Sequence, residues 1–194
     1  MPIQGYTGFF LEFLRHPGTV GAVAPSSRHL ARHTVGAIDW QPVEAVVEFG
    51  PGTGAITEAI LERKPADMPF IAIERNPRFV SVLQERFPTV CVVEDSVANV
   101  RAVCEAQGLS EVGAVISGLP WSSFSDVDQT TFLEALVSVL GPKGQFATYV
   151  YLTGLPLPSA WRFREKLGKY FRTVRRTEVI WFNMPPAFVY HCSV

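Results

Sequence analysis

Short apolar runs alternate with amphipathic stretches from residue 43 to residue 151. The runs are Ala45-Val46-Val47, Phe70-Ile71-Ala72-Ile73, Thr89-Val90-Cys91-Val92-Val93, Val112-Gly113-Ala114-Val115-Ile116 and residues 145–151. Most are short, nearly continuous in apolar residues and rich in β-branched side chains, the pattern of strands buried on both faces. Between them, residues 55–63, 77–87, 98–107 and 126–140 place apolar side chains at helical spacing. Strands that alternate with helices predict a parallel sheet covered on both sides. The pattern then changes. Leu155-Pro156-Leu157-Pro158 reads as an irregular loop, 159–168 as a helix, and 171–182 and 187–194 as two strands separated by Asn183-Met184-Pro185-Pro186. A short connection of that kind favours an antiparallel pair. Ahead of the first strand, residues 6–15 read as a helix ended by His16-Pro17-Gly18, and Pro25-Ser26-Ser27 starts a second that runs through Val35.

The first strand leads into Glu48-Phe49-Gly50-Pro51-Gly52-Thr53-Gly54, and a helical stretch follows at once. Strand, glycine turn and helix in that order build a nucleotide-shaped pocket. Glycines let the backbone approach a ligand closely, and a helix start offers free N–H groups. Gly50, Gly52 and Gly54 give G-x-G-x-G rather than the G-x-G-x-x-G of dinucleotide sites. Glu48 at the strand end would repel a pyrophosphate and welcome a cationic amino-acid moiety. The motif therefore suits S-adenosylmethionine better than NAD, against the plain alternative of a tight βα connection. Pro51 and Thr53 belong to the same turn.

Three later strand ends carry matching chemistry. Glu74, with Arg75 beside it, lies about 20 residues after the turn, where an acid accepts hydrogen bonds from ribose hydroxyls; a solvated loop acid is the alternative. Asn76-Pro77 caps the next helix. Asp95 follows the third strand and can accept from an adenine amine, while Ser96 is as well explained as a helix cap. Ser117-Gly118-Leu119-Pro120-Trp121 follows the fourth strand, the place expected for methyl transfer. The predicted fold is α/β: a Rossmann-like, seven-stranded, mostly parallel sheet with a C-terminal antiparallel hairpin, helices on both faces and amphipathic helices at the N-terminus.

At 194 residues the chain is expected to form one domain, 1–194, and a hydrophobic content of 47% supports a sizeable core. Three scattered cysteines, Cys91, Cys104 and Cys192, fit a reducing compartment and no disulfide framework, with Cys91 read as a buried thiol. Four dispersed histidines show no metal-ligand spacing, so no metal is expected. No apolar run approaches the roughly 18 residues that cross a bilayer, and no leader pattern is evident. Charge is unevenly spread. Residues 41–140 hold six basic and fourteen acidic side chains, whereas 141–194 hold eight basic and two acidic, seven of the eight within 162–176. A local basic face implies an anionic partner, lipid or nucleic acid.

Phe13-Leu14-Arg15, Val20-Gly21-Ala22-Val23-Ala24-Pro25-Ser26-Ser27, the 48–54 motif, Ser117-Gly118-Leu119-Pro120 and Asn183-Met184-Pro185-Pro186-Ala187 together resemble the soluble, membrane-associating bacterial phospholipid N-methyltransferases. These are class I S-adenosylmethionine-dependent enzymes related in fold to the rRNA adenine dimethyltransferases. The resemblance covers nearly the whole chain. It implies successive methylation of phosphatidylethanolamine towards phosphatidylcholine, with S-adenosylhomocysteine as by-product and a cytoplasmic location on the inner face of the membrane. It implies that Ser26 and Ser27, otherwise helix caps, approach the donor's methionine part, and that Gly50, Pro51, Gly52, Thr53, Gly54, Glu74, Arg75, Asp95, Ser96 and the segment Ser117, Gly118 and Leu119 line the cofactor. For acceptor chemistry the candidates are Ser117 and the Gly118 carbonyl as partners of the amine, Trp121 as an apolar wall or cation–π surface, and Tyr6 as a hydroxyl over the cleft. A packing role is the alternative for Trp121 and Tyr6.

Adenine methyltransferases place Asn or Asp where this chain has Gly118, which counts against nucleic acid as partner. A small soluble amine as acceptor, or a donor-sensing module without catalysis, remain the other readings. Residues 1–40 are expected to serve as lid or membrane-docking segment over a 41–194 core. Phe9, Phe10, Phe13 and Leu14 would meet lipid, and Arg162, Arg164, Lys166, Lys169, Arg172, Arg175 and Arg176, interleaved with Trp161, Phe163, Tyr170 and Phe171, would face an anionic bilayer.

Overall fold

A computed structural model describes residues 27–194. Tyr6, Ser26, the 6–15 helix with its phenylalanines and the 20–26 stretch lie outside the described residues.

Helix α1 (Arg28–Gly36) begins where the Ser27 hydroxyl accepts from the Leu30 N–H. Strand β1 (Val46–Phe49) is buried along its whole length and leads through the glycine turn into α2 (Ala55–Arg63). Strand β2 (Phe70–Glu74), also buried throughout, is followed by α3 (Pro77–Arg86), which has Asn76 as cap and proline in its first turn. Next come β3 (Cys91–Glu94), α4 (Val100–Ala106), β4 (Val112–Ser117), α5 (Asp126–Val139), β5 (Leu140–Tyr151), α6 (Pro158–Tyr170), β6 (Thr173–Arg176) and β7 (Ala187–Ser193). Ser125 caps α5, and Asp126 and Asp128 lie in its first turn, where negative charge suits the helix dipole.

The seven strands form one sheet in the order β3-β2-β1-β4-β5-β7-β6. β7 runs antiparallel to β5 and β6, and the other neighbouring pairs are parallel. Strand order reverses beside β1, so the helices that follow β1 and β4 leave for opposite faces of the sheet at their C-terminal ends, the usual ligand position in such sheets. On one face Leu30, Val35, Ile56 and Ile60 pack against Ala72, Ile116 and Val189. On the other, Val100, Leu133, Leu136, Phe163 and Leu167 pack against Val47, Val115 and Phe146.

Several expectations need correction. The stretch 171–182 is not one strand. Phe171 is buried and stacks on Phe146, pairing is confined to Thr173–Arg176, and Ile180 makes a single bridge to Ala187. The ladder breaks because the Thr177 hydroxyl accepts the Val189 N–H in place of a backbone carbonyl. The 98–107 helix begins as a 3-10 turn, Val97–Asn99, because Ser96 caps Ala98 and Asp95 holds the Asn99 amide. The third strand starts at Cys91 rather than Thr89; as the sheet's outer strand it leaves Cys91 half-buried, not enclosed.

Candidate active site

The register places the turns after β1, β2 and β4 on one rim, with Phe49 level with Ile73 on one side and Ser117 on the other. Hydrogen bonds then tie these turns together. Gly50 N–H donates to the Ile73 carbonyl at 3.0 Å, and Gly118 N–H to the Phe49 carbonyl at 2.9 Å. Glu74 accepts the Gly52 N–H on Oε2 at 3.1 Å and the Asn76 N–H on Oε1 at 2.8 Å. Asp95 N–H donates to the Glu74 carbonyl at 3.1 Å.

Glu48 is the acid nearest the turn and is 0% exposed. Its Oε2 accepts the Thr57 hydroxyl at 2.7 Å, while its Oε1 is buried without a partner among the described residues. Desolvation pushes its carboxyl up to about 8; the Thr57 bond opposes this rise, and the Glu74 charge adds to it. A buried oxygen left unpaired costs free energy and calls for a partner such as a ligand, a water or an ion. Four residues further along the chain, Gly52 has φ +57, and a Cβ there would meet no atom of the described residues within 4 Å. An orphaned buried acceptor at the strand end, followed by a turn with room over bare backbone, fits a ligand with a cationic amino group, as the amino-acid part of S-adenosylmethionine requires.

The glycines at 50 and 118 interlock. A Cβ on Gly50 would lie 2.5 Å from Leu119 Cδ2, and one on Gly118 only 2.8 Å from the Gly50 carbonyl oxygen. The second clash is with backbone and cannot be relieved by a rotamer change. Gly118→Ala is therefore expected to lower stability by about 1–3 kcal/mol and to weaken donor binding with it. Urea unfolding together with calorimetric titration of S-adenosylhomocysteine checks both.

The remaining candidates separate. Glu74 is buried, and desolvation raises its carboxyl against the pull of its backbone donors. Asp95 Oδ1 is taken by the Ser96 N–H and the Asn99 amide, and its Oδ2 has no described partner. Ser96 and Ser27 both cap helices, and Ser27 also donates to Asn183 Oδ1 at 2.6 Å. Pro51 is buried; Thr53 and Arg75 are exposed, and the Thr53 carbonyl accepts from Arg86.

Ser117 and Trp121 do not reach the cleft. The Ser117 hydroxyl is buried and accepts from Leu119 N–H at 3.2 Å and Trp121 Nε1–H at 3.1 Å, so it shapes the turn. The Trp121 indole is 1% exposed, stacks on Phe163 and meets Phe124, Phe132 and Phe146 edge to face. It plugs the core and leaves no open ring face for an ammonium.

Two residues that bond the candidates were not singled out from the sequence. Thr57 is a hydroxyl on the buried face of α2, a polar exception that could have flagged a partner for Glu48. Tyr149, half-buried in β5, donates its hydroxyl to the Gly118 carbonyl at 3.3 Å. Its neighbour on that face, Tyr151, lies 5.4 Å away between ring centroids. Among the described residues no cluster could hold a metal, and no helix is long and apolar enough to cross a membrane.

Sheet order, glycine turn and buried acid define an S-adenosylmethionine-dependent methyltransferase of class I. A solved S-adenosylmethionine-dependent O-methyltransferase from Thermotoga maritima has the same fold, with a TM-score of 0.58 over 94% of this chain and 70% of that one at 15% identity. No family model matches the chain. The ornithine lipid N-methyltransferase of Singulisphaera acidiphila is 34% identical over 194 residues, 95% of each chain. The chain therefore belongs to the bacterial lipid N-methyltransferase family of which that enzyme is a member. The ribosomal RNA small subunit methyltransferase A of Prosthecochloris aestuarii is also 34% identical, over 104 residues that make up 53% of this chain and 37% of that one.

Proposed function

We propose that this protein methylates the head-group amine of a membrane lipid. The observation that carries this reading is the end-to-end likeness to a lipid N-methyltransferase, against a partial likeness to RNA enzymes. Gly118 supports it: a carboxamide at that position, needed to grip adenine, would begin with a Cβ pressed against the Gly50 carbonyl. Ornithine lipid is the better-supported acceptor, since the full-length relative acts on it. Phosphatidylethanolamine, the expectation from the sequence, shares the primary amine.

Glu48 takes the donor's ammonium, the 50–54 backbone its carboxylate, Glu74 the ribose hydroxyls and Asp95 the adenine amine. When bound, S-adenosylmethionine supplies an already electrophilic methyl group, so positioning is the main task left to the chain. The Gly118 carbonyl lies on the rim between donor turn and β5. It can accept a hydrogen from the acceptor amine and aim the nitrogen lone pair. The Tyr149 hydroxyl, now on that carbonyl, fixes its direction. With Ser117 enclosed, the amine's proton leaves to solvent.

Full-length protein incubated with labelled donor and vesicles holding ornithine lipid or phosphatidylethanolamine should label a lipid, seen by thin-layer chromatography. Label confined to RNA or to a water-soluble amine would overturn the reading. Tyr149→Phe should slow turnover about tenfold, the worth of one oriented hydrogen bond, while S-adenosylhomocysteine affinity stays unchanged. Equal loss of both would make Tyr149 part of the donor site instead.

A further inference from the structure

The connection between β6 and β7 carries three large apolar side chains in the open. Trp181 is 69% exposed, Phe182 93% and Met184 75%. The base of this connection is firmly held. Ile180 bridges Ala187, Leu152 N–H donates to the Pro186 carbonyl at 2.9 Å, and buried Asn183 is bonded to Ser27 and to the Pro185 carbonyl. The tip is thus displayed on a fixed root. Exposed apolar clusters of this kind mark interaction surfaces.

Register places the tip. Ser117 is level with Thr148, Thr148 with Tyr190, and Tyr190 with Arg176. β6 therefore ends on the same rim as the glycine turn. Ile180 stands opposite Ala187, which is level with Tyr151, three residues beyond Thr148. Trp181, Phe182 and Met184 therefore stand exposed at the rim end of the β5–β7–β6 ladder, the end that carries the Gly118 carbonyl and Tyr149.

The charge nearby is positive. From the rim end of β6 onward, residues 175–186 hold Arg175 and Arg176 against the single acid Glu178. Arg175 and Arg176 are exposed, and neither forms an ion pair with a described carboxylate. The Arg176 guanidinium lies over the Phe188 ring at 4.2 Å, and the His29 ring lies 6.3 Å from that of Phe182. Elsewhere the basic segment is less available than its sequence suggests. Arg162 and Lys166 are paired with Asp126, and Phe163 and Phe171 face the core.

We infer that Trp181, Phe182 and Met184 insert into the interface of an anionic bilayer, with Arg175 and Arg176 on its phosphates. Trp, Phe and Met beside arginine are the side chains that settle at that depth. The inference rests on the lipid reading above for its purpose: it brings the acceptor rim against the surface that holds the acceptor.

The test uses full-length protein and vesicles of phosphatidylcholine with phosphatidylglycerol, which carry no primary amine. Sedimentation should show Phe182→Asp bound about tenfold less tightly or worse. Arg175→Gln should bind about fivefold less tightly at low salt, and Trp161→Asp, equally open but on α6, like the parent. Unfolding temperature and S-adenosylhomocysteine affinity of Phe182→Asp should stay at parental values. Undiminished binding by Phe182→Asp overturns the inference. So does loss of a dimer in place of lost vesicle binding, which assigns the tip to a second copy. So does Trp181 emission shielded from acrylamide before vesicles are added, which assigns it to residues 1–26. A parent chain that binds these vesicles yet labels no amine lipid would sink the acceptor assignment and leave docking intact.

Discussion

Glu48→Gln is expected to yield a chain more stable than its parent at pH 8 and unable to retain the methyl donor. The stability half follows from the carboxyl's rise from an ordinary 4.5 to about 8 on burial. Between those values the folded chain holds a proton that the unfolded chain has released, so stability falls as pH rises through the window and levels off above it. At pH 7 this costs on the order of 3 kcal/mol, at 1.36 kcal/mol per pH unit. The amide removes the titration while keeping the shape and the Thr57 bond. Urea unfolding from pH 5 to pH 9 should slope downward for the parent and run flatter for Glu48→Gln. Parallel curves would show that Glu48 does not titrate in this window. The binding half has the same origin. Below pH 8 the donor's ammonium must displace Glu48's proton, so parental affinity should climb with pH to about 8, whereas Glu48→Gln should bind at no pH. A substitution that strengthens the fold while removing ligand is what a strained functional site predicts.

Gly52→Val should remove donor binding by the opposite route, filling space rather than deleting charge. Its φ of +57 disfavours a β-branched residue, at a cost of about 1–3 kcal/mol. Its Cβ position meets nothing of the described residues within 4 Å, so these leave room for the methyls and a ligand seated on the turn would not. Affinity for S-adenosylhomocysteine should fall roughly a hundredfold, about 2.7 kcal/mol, with Gly52→Ala between valine and parent. A folded Gly52→Val chain with parental affinity would move the donor site elsewhere.

Much of this was legible in the sequence because it is local. β1, β2 and β4 are flanked by helices and buried on both faces, which writes continuous apolar runs into the chain. The glycine turn is readable because backbone geometry restricts it to a few residue types. Edges were harder. β3 is only half-covered, and β6 stops where the Thr177 side chain replaces a ladder bond, an event no periodicity reports. The acceptor side was least legible. Trp121 has the same sequence context whether it lines a cleft or plugs a core, and only packing against Phe163 and Phe146 decides. Tyr149 meets Gly118 across 31 residues, and Asn183 meets Ser27 across 156. Such pairings exist only once the sheet has formed.

The interlock of Gly50 and Gly118 also bears on how new acceptor specificity can arise. Because a Cβ at 118 would abut the carbonyl of residue 50 at 2.8 Å, no single substitution can add a nucleobase-gripping side chain without shifting the donor turn. A chain that took a side chain at 118 would need compensating changes on both loops. The geometry thus raises a mutational barrier between two substrate classes that share one scaffold.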